Sequence, residues 1–181
     1  MKIRWAFNKK RSWGNTKMTT SIENKNYDYF SFMLGNGMFA VPVKYVKEVL
    51  EFTTLTKVPN SLDYLLGVTN IRGSVVSIID LRKLFGFNPS AYLDGTSVIN
   101  LEIPRPNEKP FEIAIIADSV DIVGGLSMIQ AGSASYGIPK EQSRFIKSVA
   151  RRGDEFIMVL NLEEILKFIK ADVDKTEKAT V

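Results

Sequence analysis

The chain has 181 residues, a net charge of +4 and a hydrophobic fraction of 45%, which supplies enough apolar material for one domain or for two small lobes that share a core. It contains no cysteine and no histidine, which excludes a disulfide scaffold, a thiolate nucleophile, a cysteine-based zinc site and a phospho-accepting histidine. No apolar run approaches the roughly 18 residues that span a bilayer.

The N-terminal tail, residues 1–26, carries the basic character of the chain. It holds seven basic residues and one acidic residue, whereas the rest of the chain holds 17 basic and 19 acidic residues. The tail lacks the apolar segment of a secretory signal and is predicted to be flexible, either solvated or touching acidic lipid or nucleic acid. Met18 offers an alternative start. The near-neutral body does not favour a basic surface for nucleic acid.

Short strands follow the tail. Residues 29–34 and 38–43 flank Gly35-Asn36-Gly37, which is the pattern of a β-hairpin. A short Val-x-x-Val element at Val46–Val49 then leads into a second hairpin and a short helix at residues 67–86.

This second hairpin, between Gly67 and Gly86, is the most strongly patterned stretch. The turn Asn70-Ile71-Arg72-Gly73 precedes the β-branched run Val75–Ile79, and Asp80 stands where a helix N-cap belongs. Arg72 is the one residue here that the structure alone does not require, because it places a permanent cation at a turn between apolar strands.

The second half repeats this order. Strands are predicted at residues 97–103 and 111–117, a loop at 127–144, a hairpin at 145–160 and a closing amphipathic helix from Leu162 to Ile169. We expect a domain at 27–170, with one lobe at about 27–90 and the other at about 95–170. Residues 171–181 are expected to fray.

An internal repeat supports the two lobes. Placing Asp80 on Asn161 also aligns Val68 with Val149 and Val76 with Ile157. Earlier in each half, at a different spacing, Phe39 matches Ile113 and Val46 matches Val120. Each half then reads as five short strands and a helical turn. The prediction is a mostly β fold of two five-stranded barrels that pack on a shared core.

No catalytic constellation is visible in the sequence. Asp118 and Asp121 could bind a cation, although a solvated turn after a buried strand explains them as well. Ser119 has no histidine to act as its base. If the repeats are pseudosymmetric, Val46 and Val120 would face each other across the seam, and an open apolar groove there would suit an amphipathic helix of a partner.

Six motifs occur in the order, and at about the spacing, of one known family: Phe32-Met33-Leu34-Gly35, Val46-Lys47-Glu48-Val49, Val58-Pro59-Asn60, Gly67-Val68-Thr69-Asn70-Ile71-Arg72-Gly73, Val76 with Asp80-Leu81, and Ile116-Ala117-Asp118-Ser119-Val120 with Val123. Over about residues 28–170 the chain therefore resembles the CheW-like chemotaxis coupling proteins.

The resemblance implies two SH3-like barrels, no catalysis, no cofactor and no metal. It implies a cytoplasmic adaptor, held at the inner face of the membrane, that joins the tip of a methyl-accepting chemoreceptor to the regulatory domain of the histidine kinase CheA. By motif position, the receptor groove would consist of Val43, Val46, Glu48, Arg72, Val98, Val120 and Val123. The kinase-facing edge would consist of Phe52, Leu55, Lys57, Val58 and Leu65.

Two alternatives remain open at this level. A CheW-like adaptor could serve another receptor-coupled pathway, such as surface motility or second-messenger signalling. A small SH3-like barrel could bind nucleic acid, but the strands lack the interleaved basic and aromatic residues that this needs. Ser77, Ser148 and Asn161 stand where the family usually has Pro, Gly and Asp, and the Pro-rich turn at 104–110 is unusual. These departures concern the receptor or kinase paralogue that is served more than the fold.

Overall fold

The structure is a computed structural model that describes residues 28–52, 54–87, 95–129 and 140–179. The N-terminal tail lies outside these ranges. The described residues form strands, short helices and one 3₁₀ turn (Val43–Tyr45), in this order: β1 (Asp28–Leu34), β2 (Gly37–Pro42), β3 (Val46–Glu51), β4 (Leu65–Ile71), β5 (Ser74–Ile79), α1 (Leu81–Leu84), β6 (Ser97–Arg105), β7 (Glu108–Ala117), β8 (Ser119–Gly125), β9 (Ser127–Ile129), α2 (Lys140–Ser143), β10 (Ile146–Arg152), β11 (Glu155–Leu160) and α3 (Leu162–Ala179).

Strands β3 to β7 form one five-stranded sheet with the order β3-β6-β7-β5-β4. Its two edges meet just after β3, where Thr56 bridges Val68 of β4. The two residues exchange both backbone hydrogen bonds, each 2.9 Å from nitrogen to oxygen. This bridge closes the sheet into what we call the first barrel.

The second barrel is formed by the other sheet, with the order β8-β1-β2-β11-β10-β9. Only Leu126 separates β8 from β9, so the two act as one bent strand. Its first part pairs with β1 and its second part pairs with β10. The bent strand thus joins both edges of the sheet. The predicted mostly β fold with short helices is confirmed, and it consists of two packed sheets. The second sheet has six strands where five were expected, because the bent strand pairs at both of its edges.

The two barrels exchange hairpins. β2 of the N-terminal half pairs in parallel with β11, and β7 of the C-terminal half pairs in parallel with β5. The first barrel is therefore one continuous stretch of chain from β3 to β7, whereas the second combines β1 and β2 with β8 to β11. This differs from the expected division into lobes at 27–90 and 95–170. The chain crosses between the barrels after β2 and again after β7 because each hairpin completes the sheet of the opposite half.

The repeat seen in the sequence extends to the strand register. Val68 pairs with Ser77 in the first barrel, and the equivalent Val149 pairs with Met158 in the second. The parallel pairs agree as well, because Ile78 lies opposite Ala114 and the equivalent Val159 lies opposite Ala40. Bulges also occur at matching places, between Leu65 and Gly67 and between Ile146 and Ser148. The pseudosymmetry is therefore real at the level of single residues.

The core has three parts. One apolar cluster fills the first barrel and another fills the second. The largest lies between the barrels and takes side chains from both, including Phe32 and Phe39 on one side and Ile99 and Ile115 on the other. A barrel this small buries little apolar surface alone, so the shared cluster explains why the two occur as one unit.

Two segments contain more regular structure than the sequence predicted. Residues 127–144 were expected to be a loop, but they include β9 and α2. α3 was expected to fray from residue 171, but it continues to Ala179. The hydroxyl of Tyr64 donates a 3.1 Å hydrogen bond to the Asp172 carboxylate, which ties the second half of this helix to the first barrel.

Candidate functional site

The turn between β4 and β5 presents the arginine that the sequence singled out. Arg72 has a positive φ of 51°, and the side-chain oxygen of Asn70 accepts the N–H of Gly73 at 2.8 Å. The Nε of Arg72 donates to both carboxylate oxygens of Glu48 on β3, at 2.8 and 3.0 Å. The Arg72 side chain is 78% exposed and that of Glu48 only 13%, so a nearly buried carboxylate holds a solvent-facing cation.

This ion pair brings together opposite edges of the first sheet. β3 and β4 are the terminal strands in the sheet order, and Glu48 and Arg72 are 24 residues apart in the chain. Barrel closure therefore assembles the pair. At this end of the barrel the cation lies beside the start of β3, where Val46 is half-buried against the shared core.

The valines predicted for the receptor groove lie in different environments. Val43 in the 3₁₀ turn is half-buried, and Val120 on β8 is 41% exposed. Val120 occupies the place on the second barrel that Val46 occupies on the first, since they pair with Phe32 and Leu101 respectively. The side chain of Val123 lies outside the described part of the structure.

Val98 needs a correction. It is 3% exposed and packs inside the first barrel with Ile116 and Ala114. β6 alternates its side chains between the barrel interior and the shared core, and Val98 is on the interior side. Its side chain is therefore not available to a partner, and we remove it from the candidate groove.

A polar cluster that the sequence did not reveal lies behind Glu48. Glu112 accepts from the ammonium of Lys47 at 2.9 Å and from the amide nitrogen of Asn100 at 2.9 Å. These two contacts, the Asn100 amide first, lower the pKa of the Glu112 carboxyl. Asn100 is fully buried and its side-chain oxygen has no hydrogen-bond partner. The cluster closes the end of the barrel that carries Arg72, so that end is polar beneath its surface.

The residues predicted for the kinase-facing edge lie at the opposite end of β3 and β4. Phe52 and Leu55 are half-buried against the interior of the first barrel, and Leu65 packs on the shared core. Lys57 is exposed and Val58 is 38% exposed. Phe52, Leu55 and Leu65 therefore anchor this edge to the core. Lys57 and Val58 face the solvent.

The two aspartates considered as a cation site are paired with arginines. Asp118 contacts Arg82 at 2.6 Å, and Asp121 contacts Arg152. In the described ranges, no group of three or more acidic side chains could hold a metal ion. Arg82 was not singled out from the sequence, because its place on a short helix is the one where a solvated arginine is expected.

The comparisons with known proteins agree with this geometry. The model of the CheW-like domain matches residues 28–170. The chain belongs to the CheW-like family. It is 26% identical over 144 residues to the chemotaxis protein CheW of Klebsiella aerogenes, covering 80% of this chain and 84% of the relative. The corresponding protein of Bacillus subtilis is 25% identical over 135 residues, covering 75% of this chain and 83% of the relative.

A solved structure shows the same fold. The scaffolding protein TtCheW from Thermoanaerobacter tengcongensis superposes with a TM-score of 0.65 at 22% sequence identity, covering 75% of this chain and 89% of that one. As a CheW-type scaffold of chemotaxis signalling, the chain couples receptors to the kinase CheA and is not an enzyme. None of the helices in the described residues is long and apolar enough to cross a membrane.

Proposed function

We propose that this CheW-type scaffold holds the cytoplasmic tip of a methyl-accepting chemoreceptor at one end of its first barrel and the regulatory domain of CheA at the other. The observation that carries this proposal is the Arg72–Glu48 ion pair, whose Nε–Oε2 distance is 2.8 Å. It fixes an exposed cation at one end of the barrel, and an ion pair with so exposed a partner adds little to the stability of the fold.

The receptor end combines one oriented charge with apolar contacts. Arg72 supplies further donors to acceptors on a partner, because within the described ranges its hydrogen bonds to Glu48 use only Nε. Val43, Val46 and Val120 supply the apolar part of the surface. An amphipathic helix of the receptor tip presents the complementary pattern, with an apolar stripe flanked by polar groups.

The kinase end is an apolar edge beside the Thr56–Val68 bridge. Val58 and Lys57 are its exposed residues, and Phe52, Leu55 and Leu65 hold the backbone beneath them. An edge strand of a barrel in the regulatory domain of CheA suits this surface, because two short edge strands of similar geometry can pair with each other.

The two ends lie far enough apart for both partners to bind together. β3 runs from Val46 at the receptor end to Glu51 next to the kinase end, and a strand of that length spans roughly 17 Å at about 3.3 Å per residue. A rigid barrel between the two sites is what a scaffold requires.

Two exposed valines give a crossed test. Val120→Asp and Val58→Asp introduce the same charge on the proposed receptor surface and on the proposed kinase surface, so each serves as the control for the other. We expect Val120→Asp to weaken binding of a receptor cytoplasmic fragment at least about tenfold, or ~1.4 kcal/mol, without changing binding of the CheA regulatory domain. Val58→Asp should do the reverse. Titration calorimetry with each purified partner measures both, and loss of the same partner in both variants would contradict the proposal.

A further inference from the structure

A buried arginine joins the two barrels. Arg82 on α1 has a side chain that is 1% exposed. Its Nε and Nη2 donate to the two carboxylate oxygens of Asp80 at 3.0 and 3.1 Å, and its Nη1 donates to Asp118 at 2.6 Å. One guanidinium therefore holds two carboxylates that lie 38 residues apart in the chain.

Asp118 carries the connection into the second barrel. Its other carboxylate oxygen accepts the N–H of Gly35, in the turn between β1 and β2, at 2.6 Å. Its backbone N–H donates to the carbonyl oxygen of Met33 at 3.0 Å. Asp118 lies between β7 of the first barrel and β8 of the second, so the series from Asp80 through Arg82 and Asp118 to Gly35 crosses the boundary between the barrels.

The pseudosymmetry shows that the fold itself does not require this ion pair. The repeat places Arg82 on Glu163, which is exposed, and Asp80 on Asn161. Asn161 keeps the helix cap, with its side-chain oxygen accepting the N–H of Glu164 at 3.3 Å. The second half thus forms the same strands and the same cap without a buried arginine at the position of Arg82.

The position of the series points to what it does. Asp118 directly precedes Ser119 and Val120 on β8, which pair with Met33 and Phe32 of the second barrel. The Arg72–Glu48 pair belongs to the first barrel. The distance between Val120 and the Arg72–Glu48 pair therefore stays fixed only if the second barrel does not move relative to the first.

We propose that Arg82 is a positioning residue, which holds Val120 in place relative to the Arg72–Glu48 pair by clamping the two barrels together through Asp118. The functional part of this inference rests on the proposed receptor surface. Neutralising Asp118 removes the charge that Arg82 Nη1 contacts, while Arg82 keeps both hydrogen bonds to Asp80. The barrels then lose the ionic connection between them, although each keeps its own strands and its own core.

The geometry of the clamp can be tested without any partner. The chain has no native cysteine, so spin labels can be attached to Val75→Cys in the first barrel and Asp154→Cys in the second, both at exposed positions. Pulsed electron–electron double resonance should give one narrow distribution of the distance between the two labels when the protein carries no other substitution. We expect Asp118→Asn to broaden or shift it.

Asp121→Asn is the matched control. It neutralises an aspartate three residues further along, whose arginine partner, Arg152, lies in the same barrel, and it should leave the distance unchanged. Asp118→Ala, which removes both carboxylate oxygens, gives a second probe if Asp118→Asn does not fold. An unchanged distribution in the Asp118 variants would overturn the clamp.

The consequence for binding is measured separately. We expect Asp118→Asn to weaken binding of the receptor fragment about tenfold, within the usual range for coupled sites, and to leave binding of the CheA regulatory domain unchanged. A broadened distance with full receptor binding would overturn the positioning role. Failure of the unmutated protein to bind the fragment would instead overturn the proposed function, while the distance measurement still decides the clamp.

Discussion

Arg72 combines a strained backbone with a side chain that is mostly in solvent. A non-glycine residue at a φ of 51° costs roughly 1 kcal/mol relative to glycine. Its ion pair returns little, because the Arg72 side chain is 78% exposed and water screens the attraction, so the pair contributes about 0–1 kcal/mol. The side chain therefore contributes little net stability at this turn, which agrees with a role in binding.

Arg72→Ala should leave the fold intact and weaken receptor binding. The free energy of unfolding should change by less than about 1 kcal/mol, while the affinity for a receptor fragment falls about tenfold. Thermal unfolding and a binding titration on the same sample measure both. A large loss of thermal stability would mean that Arg72 is a structural residue.

Val46 and Val120 should respond differently to the same substitution. Val46 packs against the shared core, so Val46→Asp places a carboxylate against apolar side chains and should destabilise the protein by about 2–4 kcal/mol. Val120 is 41% exposed, and Val120→Asp should stay within about 0.5 kcal/mol. Denaturant unfolding of both variants makes the comparison, and equal losses would mean that Val120 is also a core residue.

The sequence revealed some site residues and concealed others. Arg72 could be found because turn chemistry surrounds it and nothing nearby needs a cation. Arg82 and Asn100 could not, because each occupies a position where a polar residue usually faces water. Asn100 is buried because the barrel closes around it, and no pattern in the neighbouring sequence predicts this burial.

Closure of the first barrel depends on one glycine. A Cβ at Gly67, whose φ is +148°, would lie 2.4 Å from the carbonyl oxygen of Thr56, the residue that completes the barrel. We expect Gly67→Ala to destabilise the protein by about 3 kcal/mol. Gly124→Ala is the control, since no atom of the described residues lies within 4 Å of a Cβ there. Similar unfolding midpoints for the two variants would contradict this role of Gly67.

The polar cluster between β3, β6 and β7 should make stability depend on acid. Hydrogen bonds from Asn100 and Lys47 lower the folded-state pKa of Glu112 below the ordinary value of about 4.3. Its stabilisation is therefore complete above that ordinary value and is lost as the pH falls through the lowered folded-state pKa. At neutral pH the free energy of unfolding should be larger for the wild-type protein than for Glu112→Gln, and this gap should shrink to zero as the pH is lowered. Urea unfolding over a pH series measures the gap, and a gap independent of pH would contradict the prediction.

Elements with a clear period were predicted well, and irregular ones were not. The hairpins, the Asp80 cap and the register of the repeat follow from alternation and turn residues, which are local signals. The prolines suggested a long turn at residues 104–110, but β6 continues to Arg105 and β7 begins at Glu108. The strands tolerate Pro104 and Pro110 because both lie in exposed parts of the hairpin. The bend that joins β8 to β9 has no local signature, because it exists only once both neighbouring strands are in place.

At the scale of the whole molecule, the exchange of hairpins is what the sequence could not supply. An internal repeat predicts two similar barrels, but it does not say which hairpin completes which sheet. Either arrangement would bury the same apolar residues of β2 and β7. The exchanged arrangement crosses the chain between the barrels, and the crossing after β2 packs on the shared apolar cluster through Tyr45 and Val46.

Assembly of a ternary complex tests the central claim most directly. The purified protein is sedimented with a receptor cytoplasmic fragment, with and without CheA, and the composition of the pellet is measured. A scaffold with separate surfaces at the two ends of its first barrel should sediment with the receptor fragment alone and should bring CheA into the pellet when CheA is added. Binding to neither partner, or competition between the two for one surface, would contradict the claim.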